Sequence, residues 1–241
     1  MTPFRMNMAS TQFAGRDRYG SVRDAASIVG RLTLGALGLL VVLQICLRLL
    51  HRAIPSPLWL RLSSALDAPI RQRFLNARII ARRVGLRSGM RVFCLDVGSG
   101  AVPEALARAV GPDGRVEAVS LDPDARQRAR VYLASEAIEN VGVISGFGNH
   151  IPFADQSFDA ACVVSSFGRL NDPQSALAEV RRVLRPAGRL SISEVVSDPA
   201  YVLRKTMISW AEHAGFELLE SFGDALAYTV NFRKPMTAPA G

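Results

Sequence analysis

Cysteine, histidine and lysine are scarce in this chain, and the scarcity narrows its chemistry. The three cysteines, Cys46, Cys94 and Cys162, lie far apart, each inside an apolar run. No CxxC or Cys/His spacing occurs, so no metal site is expected. Buried thiols in a reducing compartment are the simpler reading. Lysine is nearly absent: the 29 cationic side chains, set against 21 acidic ones for a net charge of +8, are almost all arginine. No helix-turn-helix, zinc-finger or RNA-recognition signature accompanies that charge, so nucleic acid is not an expected partner. There is no internal repeat. A length of 241 residues is enough for one α/β domain, which takes roughly 150–200 residues, plus a short extension.

Apolar residue is what the chain has in excess. Hydrophobic side chains make up 49% of it, with a mean hydropathy of +0.17. Residues 1–23 read as a basic, flexible tail carrying Arg5, Arg16, Arg18 and Arg23. Residues 24–53 read as a membrane-anchoring helix. From Leu32 to Leu47 Gln44 is the one strongly polar residue, and the apolar side chains lie all round. The run is slightly shorter than the ~20 residues of a usual span, and Arg31 and Arg48 can snorkel at its ends. No small-residue cleavage site follows, which argues against a signal peptide. A hydrophobic hairpin or a dimer contact is the alternative. The arginines between Arg48 and Arg91 fit anionic headgroups. Residues 54–88 read as a helical linker or lid. Trp59 suits a membrane boundary, and Ile70, Phe74, Ile79 and Ile80 form an approximate helical face. An ordinary helix over a sheet fits that segment equally.

From residue 89 to 235 strand-length apolar runs alternate with helical stretches. Expected strands are Val92–Leu95, Val116–Leu121, Val141–Ile144, Ala160–Val164 and Leu190–Val195. Expected helices are Pro103–Val110, Asp124–Ser135, Pro173–Leu184 and Tyr201–Ala214. Two final strand-like runs, Glu217–Ser221 and Leu226–Phe232, precede a tail at 236–241. This alternation predicts a doubly wound α/β fold, with helices on both faces of a mainly parallel sheet. Trp210 is expected to pack with Met207 and Ala214, and Tyr228 to pack rather than react.

Two features point to an adenosine-bearing ligand. Asp96-Val97-Gly98-Ser99-Gly100 follows the first strand; glycine lets backbone approach a ligand, and the helix N-terminus beyond attracts a carboxylate. Asp96 could take an ammonium group. Asp122, followed by Pro123 at the end of the second strand, is placed to accept ribose hydroxyls. Alone the pair does not separate a nicotinamide cofactor from S-adenosylmethionine, although Pro103 does not support a GxGxxG pyrophosphate turn.

The second half carries Ile151-Pro152-Phe153-Ala154-Asp155-Gln156-Ser157-Phe158-Asp159, then Asn171-Asp172-Pro173, then Arg181-Arg182-Val183-Leu184-Arg185-Pro186-Ala187-Gly188-Arg189-Leu190. In this order, from about Met90 to Pro235, the chain resembles class I S-adenosylmethionine-dependent methyltransferases of the type 11, ubiquinone/menaquinone-biosynthesis-like family. The resemblance implies a Rossmann-like seven-stranded sheet with its last strand antiparallel, and S-adenosyl-L-methionine as cofactor. It implies that Gly98, Ser99 and Gly100 face the methionine end and Asp122 the ribose. Phe147, Gly148 and Asn149 would flank adenine, and Ser165 and Ser166 would border the methyl. Because that cofactor is made in the cytosol, a membrane-associated domain facing the cytoplasm is expected. A hydrophobic, quinone- or lipid-like acceptor is the expected partner. His150 and Glu194 are candidate bases, and Arg169 a candidate for an anionic substrate group. The chain departs from the family at Val102, where a third glycine usually stands, at Phe147, where an acid is usual, and at Ala187, usually glycine. A degenerate, non-catalytic cofactor-binding domain acting as a membrane interaction protein is the alternative.

Overall fold

The structure, a computed structural model, describes residues 76–146, 150–196, 198 and 200–236. The expected basic tail, the hydrophobic helix at 24–53 and most of the linker lie outside those residues, as do Ile70, Phe74 and Cys46.

Strand β1 (Arg91–Leu95) is buried along four of its five residues, so both of its faces must be covered. They are covered differently. Phe93 and Leu95 join a cluster with Leu177, Val180, Met207 and Phe232. Val92 and Cys94 point the other way, into a cluster with Ile80, Leu106, Val110 and Ala129. The two-residue period of a strand thus builds two cores from one run. Each fully buried aliphatic or aromatic side chain there stabilises by roughly 1.5–3 kcal/mol.

The helices that provide those covers are α1 (Ala77–Val84), α2 (Ala101–Val110) and α3 (Pro123–Ser135) on one face, and α4 (Pro173–Val183) and α5 (Arg204–His213) on the other. With β2 (Arg115–Val119), β3 (Val141–Ile144), β4 (Phe158–Val164), β5 (Leu184–Val195), β6 (Glu217–Gly223) and β7 (Ala227–Arg233), they make a seven-stranded sheet of order β3-β2-β1-β4-β5-β7-β6. Pairs up to β4–β5 are parallel, and β7 runs antiparallel to both β5 and β6. The expected doubly wound, Rossmann-like fold with an antiparallel last strand is the observed one.

Local differences have local causes. The second strand stops at Val119, where pairing with Ile144 ends; Leu121 is left exposed. Of the expected apolar face on α1, Ile80 is buried, while Ile79, a step of about 100° around the helix, is exposed. Helix α5 starts at Arg204 because the chain before it is still extended at Leu203. Helix α4 passes straight into β5 at Leu184, and a register shift between Phe158 and Ala160 absorbs the Pro186-Ala187-Gly188 turn. Ala187 there adopts φ 61°, a left-handed conformation that glycine tolerates best. Helix α1 is tied to the sheet by polar contacts. Asn231 Nδ2 donates to the Arg83 carbonyl at 2.6 Å, and Arg83 Nη1 donates to Thr229 Oγ1 at 3.0 Å. Trp210 packs with Met207 and Ala214 as expected.

Candidate functional site

Parallel strands end on one side of the sheet. There the chain after β2, β1, β4 and β5 brings together four loops: Ser120–Asp122, Asp96–Gly100, Ser165–Ser166 and Val196 onward. The crevice outside such carboxyl ends is where ligands bind in open α/β sheets.

The glycine turn has the conformation its sequence requires. Gly98 (φ 53°) and Gly100 (φ 96°) are both left-handed. The two glycines serve different purposes. A Cβ on Gly98 would meet nothing within 4 Å among the described residues, so this backbone faces the cleft rather than a packed neighbour. A Cβ on Gly100 would lie 2.8 Å from Tyr132 Cδ1, so this backbone faces α3. Gly100 N-caps α2 with no side-chain cap among the described residues, which leaves the Ala101 and Val102 N–H groups uncapped; Pro103 has no N–H, and that of Glu104 donates to the Gly100 carbonyl. Gly98 and Ser99 line a cleft of about 1120 Å³ with Asp96, Val102, Ile80 and Tyr132. Val102, the family departure, lies within α2 and forms part of this wall. Asp96 is itself left-handed at φ 69°, a conformation Asp accepts better than most residues. Its Oδ1 receives the Gly98 N–H at 3.3 Å, which ties the acid to the turn.

Asp122 caps α3. Its Oδ1 accepts from the Asp124 N–H at 2.9 Å, and Pro123 occupies the first turn. Oδ2 has Arg128 at 3.6 Å, with both side chains more than half exposed. Such a pair is worth little, so Oδ2 can exchange its partner for a ligand hydroxyl.

At the end of β4, Ser165 is left-handed (φ 49°), and its amide donates to the Ser193 carbonyl at 2.9 Å. Its buried Oγ has no hydrogen-bond partner among the described residues. Ser166 Oγ donates to the Val164 carbonyl at 2.9 Å. Glu194 is fully buried near the end of β5, in register with Tyr228. Tyr228 packs as expected and donates to the Val202 carbonyl at 2.7 Å; burial first, then the nearby Glu194, pushes its phenol far above the usual range. Arg169 Nη2 lies 2.7 Å from the fully buried Asp198, an ion pair within the protein that holds the guanidinium in place. His150 is exposed, and the next amide, Ile151 N–H, donates to Glu179 Oε2 at 3.1 Å; this sets His150 beside the Glu179–Arg182 pair. Phe147, Gly148 and Asn149 lie outside the described residues. Among the described residues no cluster of His, Cys, Asp or Glu is gathered to hold a metal ion. Cys94 and Cys162 sit buried in register on β1 and β4, and burial raises both thiols.

A cluster beside the glycine turn was not anticipated. Tyr132 Oη donates to Glu104 Oε2 at 2.6 Å, while Arg108 Nε donates to Glu104 Oε1 at 2.8 Å. The phenol's hydrogen bond, ahead of Arg108, holds the Glu104 carboxyl below its usual range despite partial burial. The same bond pushes Tyr132 up to about 12. Glu104 and Arg108 were legible as an i,i+4 pair on a helix; their contact with Tyr132 depends on how α2 and α3 cross.

Comparison with known proteins bears on this geometry. Residues 95–192 match the family described as "Methyltransferase domain". The ubiquinone/menaquinone biosynthesis C-methyltransferase of Hahella chejuensis is 30% identical over 118 residues, 48% of this chain and 47% of that protein. An arsenite methyltransferase of Halobacterium salinarum is 39% identical over 107 residues, 42% of this chain and 27% of that protein. The chain thus spans about half or less of the length of these curated relatives. Among solved structures, an S-adenosylmethionine-dependent methyltransferase from Aquifex aeolicus superposes with a TM-score of 0.64 at 23% identity, covering 71% of this chain and 96% of the other. The segment that bears the glycine turn, Asp122 and Ser165 therefore has the sequence of a methyltransferase domain, on the fold of that solved methyltransferase.

Proposed function

We propose that the chain is an S-adenosylmethionine-dependent methyltransferase acting on a small, hydrophobic acceptor at a membrane. The observation that carries this reading is the pairing of an open glycine turn with an exposed acid one strand away, inside the segment that matches the methyltransferase domain. The residues present fit the cofactor: the missing Cβ of Gly98 leaves a cradle open to the cleft, and two acids stand at neighbouring strand ends.

Bound there, the cofactor supplies an electrophilic methyl group on a sulfonium. The protein's own work is alignment, since a displacement at carbon needs its nucleophile held behind the methyl. The α2 N–H groups and the turn amides would hold the carboxylate, Asp96 the ammonium, and Asp122 Oδ2 the ribose diol. Ser165 and Ser166 border the place where the acceptor must arrive. For a phenolic or amine acceptor, Glu194 is the strand-end acid we assign to take the proton.

The apolar run Leu32–Leu47 and the arginines that follow it support an acceptor of low polarity and a membrane-associated chain; arginines flank both sides of the run, so a domain facing the cytoplasm rests on the cytosolic origin of the cofactor alone. Among the described residues no helix is long and apolar enough to cross a membrane. The relatives named for ubiquinone/menaquinone biosynthesis support a quinone-like acceptor.

Calorimetric titration of the full chain in mild detergent with S-adenosylmethionine, beside Asp122→Ala, tests the reading. Micromolar binding that the substitution weakens at least tenfold is the expected result. A folded chain that binds nothing would refute it and leave the degenerate scaffold.

A further inference from the structure

Nothing in the proposed chemistry uses Tyr132, yet three observations set it against the glycine turn. Its ring occupies the space a Cβ on Gly100 would need, 2.8 Å away. Its hydroxyl reaches from α3 to Glu104 on α2, at 2.6 Å. Glu104 lies in the first turn of that helix, where its amide donates to the Gly100 carbonyl at 2.9 Å. Tyr132, Glu104, Gly98 and Ser99 all line the same cleft.

Glu104 raises an electrostatic problem. A helix N-terminus favours anions, and the α2 terminus already carries one of its own. A ligand carboxylate seated on the turn amides would share the cleft with the Glu104 carboxylate, and like charges that share a partly desolvated site repel. The structure answers with two donors. Tyr132 Oη holds one oxygen and Arg108 Nε the other, and Arg108 is in turn shared with Glu136 at 3.3 Å. The carboxylate is fixed in direction and its charge is partly offset. The phenol stays protonated well beyond neutral pH, since it is pushed up to about 12.

We infer that Tyr132 is a positioning residue for the carboxylate end of the bound ligand: it props the turn at Gly100 and pins Glu104 away from the incoming anion. This rests on the cofactor reading above and goes beyond it, since no ligand contact is assigned to Tyr132 itself.

The test compares two probes on the full chain by calorimetry. S-adenosylmethionine carries the carboxylate; methylthioadenosine keeps the nucleoside and lacks the amino-acid end. Tyr132→Phe keeps the ring against Gly100 and removes only the hydroxyl. It should weaken S-adenosylmethionine by about tenfold and leave methylthioadenosine within about twofold. Adding Glu104→Gln to Tyr132→Phe removes the unpinned charge and should restore S-adenosylmethionine affinity most of the way. A purely structural role would move both probes together and would not be rescued by Glu104→Gln; that pattern, or unchanged binding in Tyr132→Phe, overturns the inference while leaving the cofactor reading intact. A wild-type chain that binds neither probe overturns both. Circular dichroism of each variant separates unfolding from lost binding.

Discussion

Replacing Gly100 by alanine should expose how tightly the turn is built. Two penalties act at once. The φ of 96° lies where an L side chain is strained, at a cost of about 1–3 kcal/mol. The new Cβ would also stand 2.8 Å from Tyr132 Cδ1 and 3.4 Å from Ala129 backbone atoms, and overpacking of this kind costs about 1–3 kcal/mol. Together they predict a loss of roughly 3 kcal/mol, which for a domain of this size lowers Tm by about 6–12 °C. The two parts are separable. With Tyr132 already truncated to alanine, the ring clash disappears and only the backbone strain remains. Gly100→Ala should then cost about 1–2 kcal/mol, giving a coupling of similar size in the double-mutant cycle. Urea unfolding of the four proteins, followed by far-ultraviolet circular dichroism with m-values compared, measures it. Equal cost of Gly100→Ala in both backgrounds would refute the claim that the Tyr132 ring is what excludes a side chain at position 100.

Further outcomes follow from neighbouring residues. Gly98→Ala meets no neighbour within 4 Å among the described residues, so it should cost only about 1 kcal/mol of stability for its left-handed backbone; by filling the cradle it should abolish detectable S-adenosylmethionine binding, seen by calorimetry. Ala187→Gly relieves a non-glycine residue at φ 61° and should stabilise by about 0.5–1 kcal/mol after the greater freedom of glycine in the unfolded chain is counted, measured as a rise in urea midpoint. Tyr132 has a folded pKa raised from 10.0 to about 12. Its contribution to stability is therefore complete below pH 10 and lost as pH rises towards 12, so wild type should weaken through that window more steeply than Tyr132→Phe in denaturant melts at stepped pH. Glu194→Gln should lower the methyl-transfer rate to a phenolic acceptor by about a hundredfold with little change in cofactor affinity; an unchanged rate would remove Glu194 from the mechanism.

The sheet was legible because its strands are buried on both faces and bounded by turn residues. The run Val92-Phe93-Cys94-Leu95 before Asp96-Val97-Gly98 leaves few other readings. The ends of elements were less so. Nothing local marks Leu184 as the switch from helix to strand; pairing with Phe158 decides it. At the site, the glycine turn and Asp122 could be read because backbone conformation and capping are local properties. The partner of Arg169 was not legible, because Asp198 stands 29 residues away and a buried counter-ion leaves no mark on neighbouring sequence. Tyr132 was missed for the same reason.

The place of β7 sets the order in which this sheet can be completed. Tyr228, Val230 and Phe232 slot between β5 and β6, strands that precede them in the chain. Until residues 227–233 have been synthesised, β5 keeps a bare hydrogen-bonding edge, and β6 has no neighbour to join. The nascent domain therefore waits with an adhesive edge exposed, the condition in which strand pairing with the wrong chain competes with folding. A chain cut just before Ala227 would lose more than one strand: it would be left with six strand sequences, of which only five could form a continuous sheet.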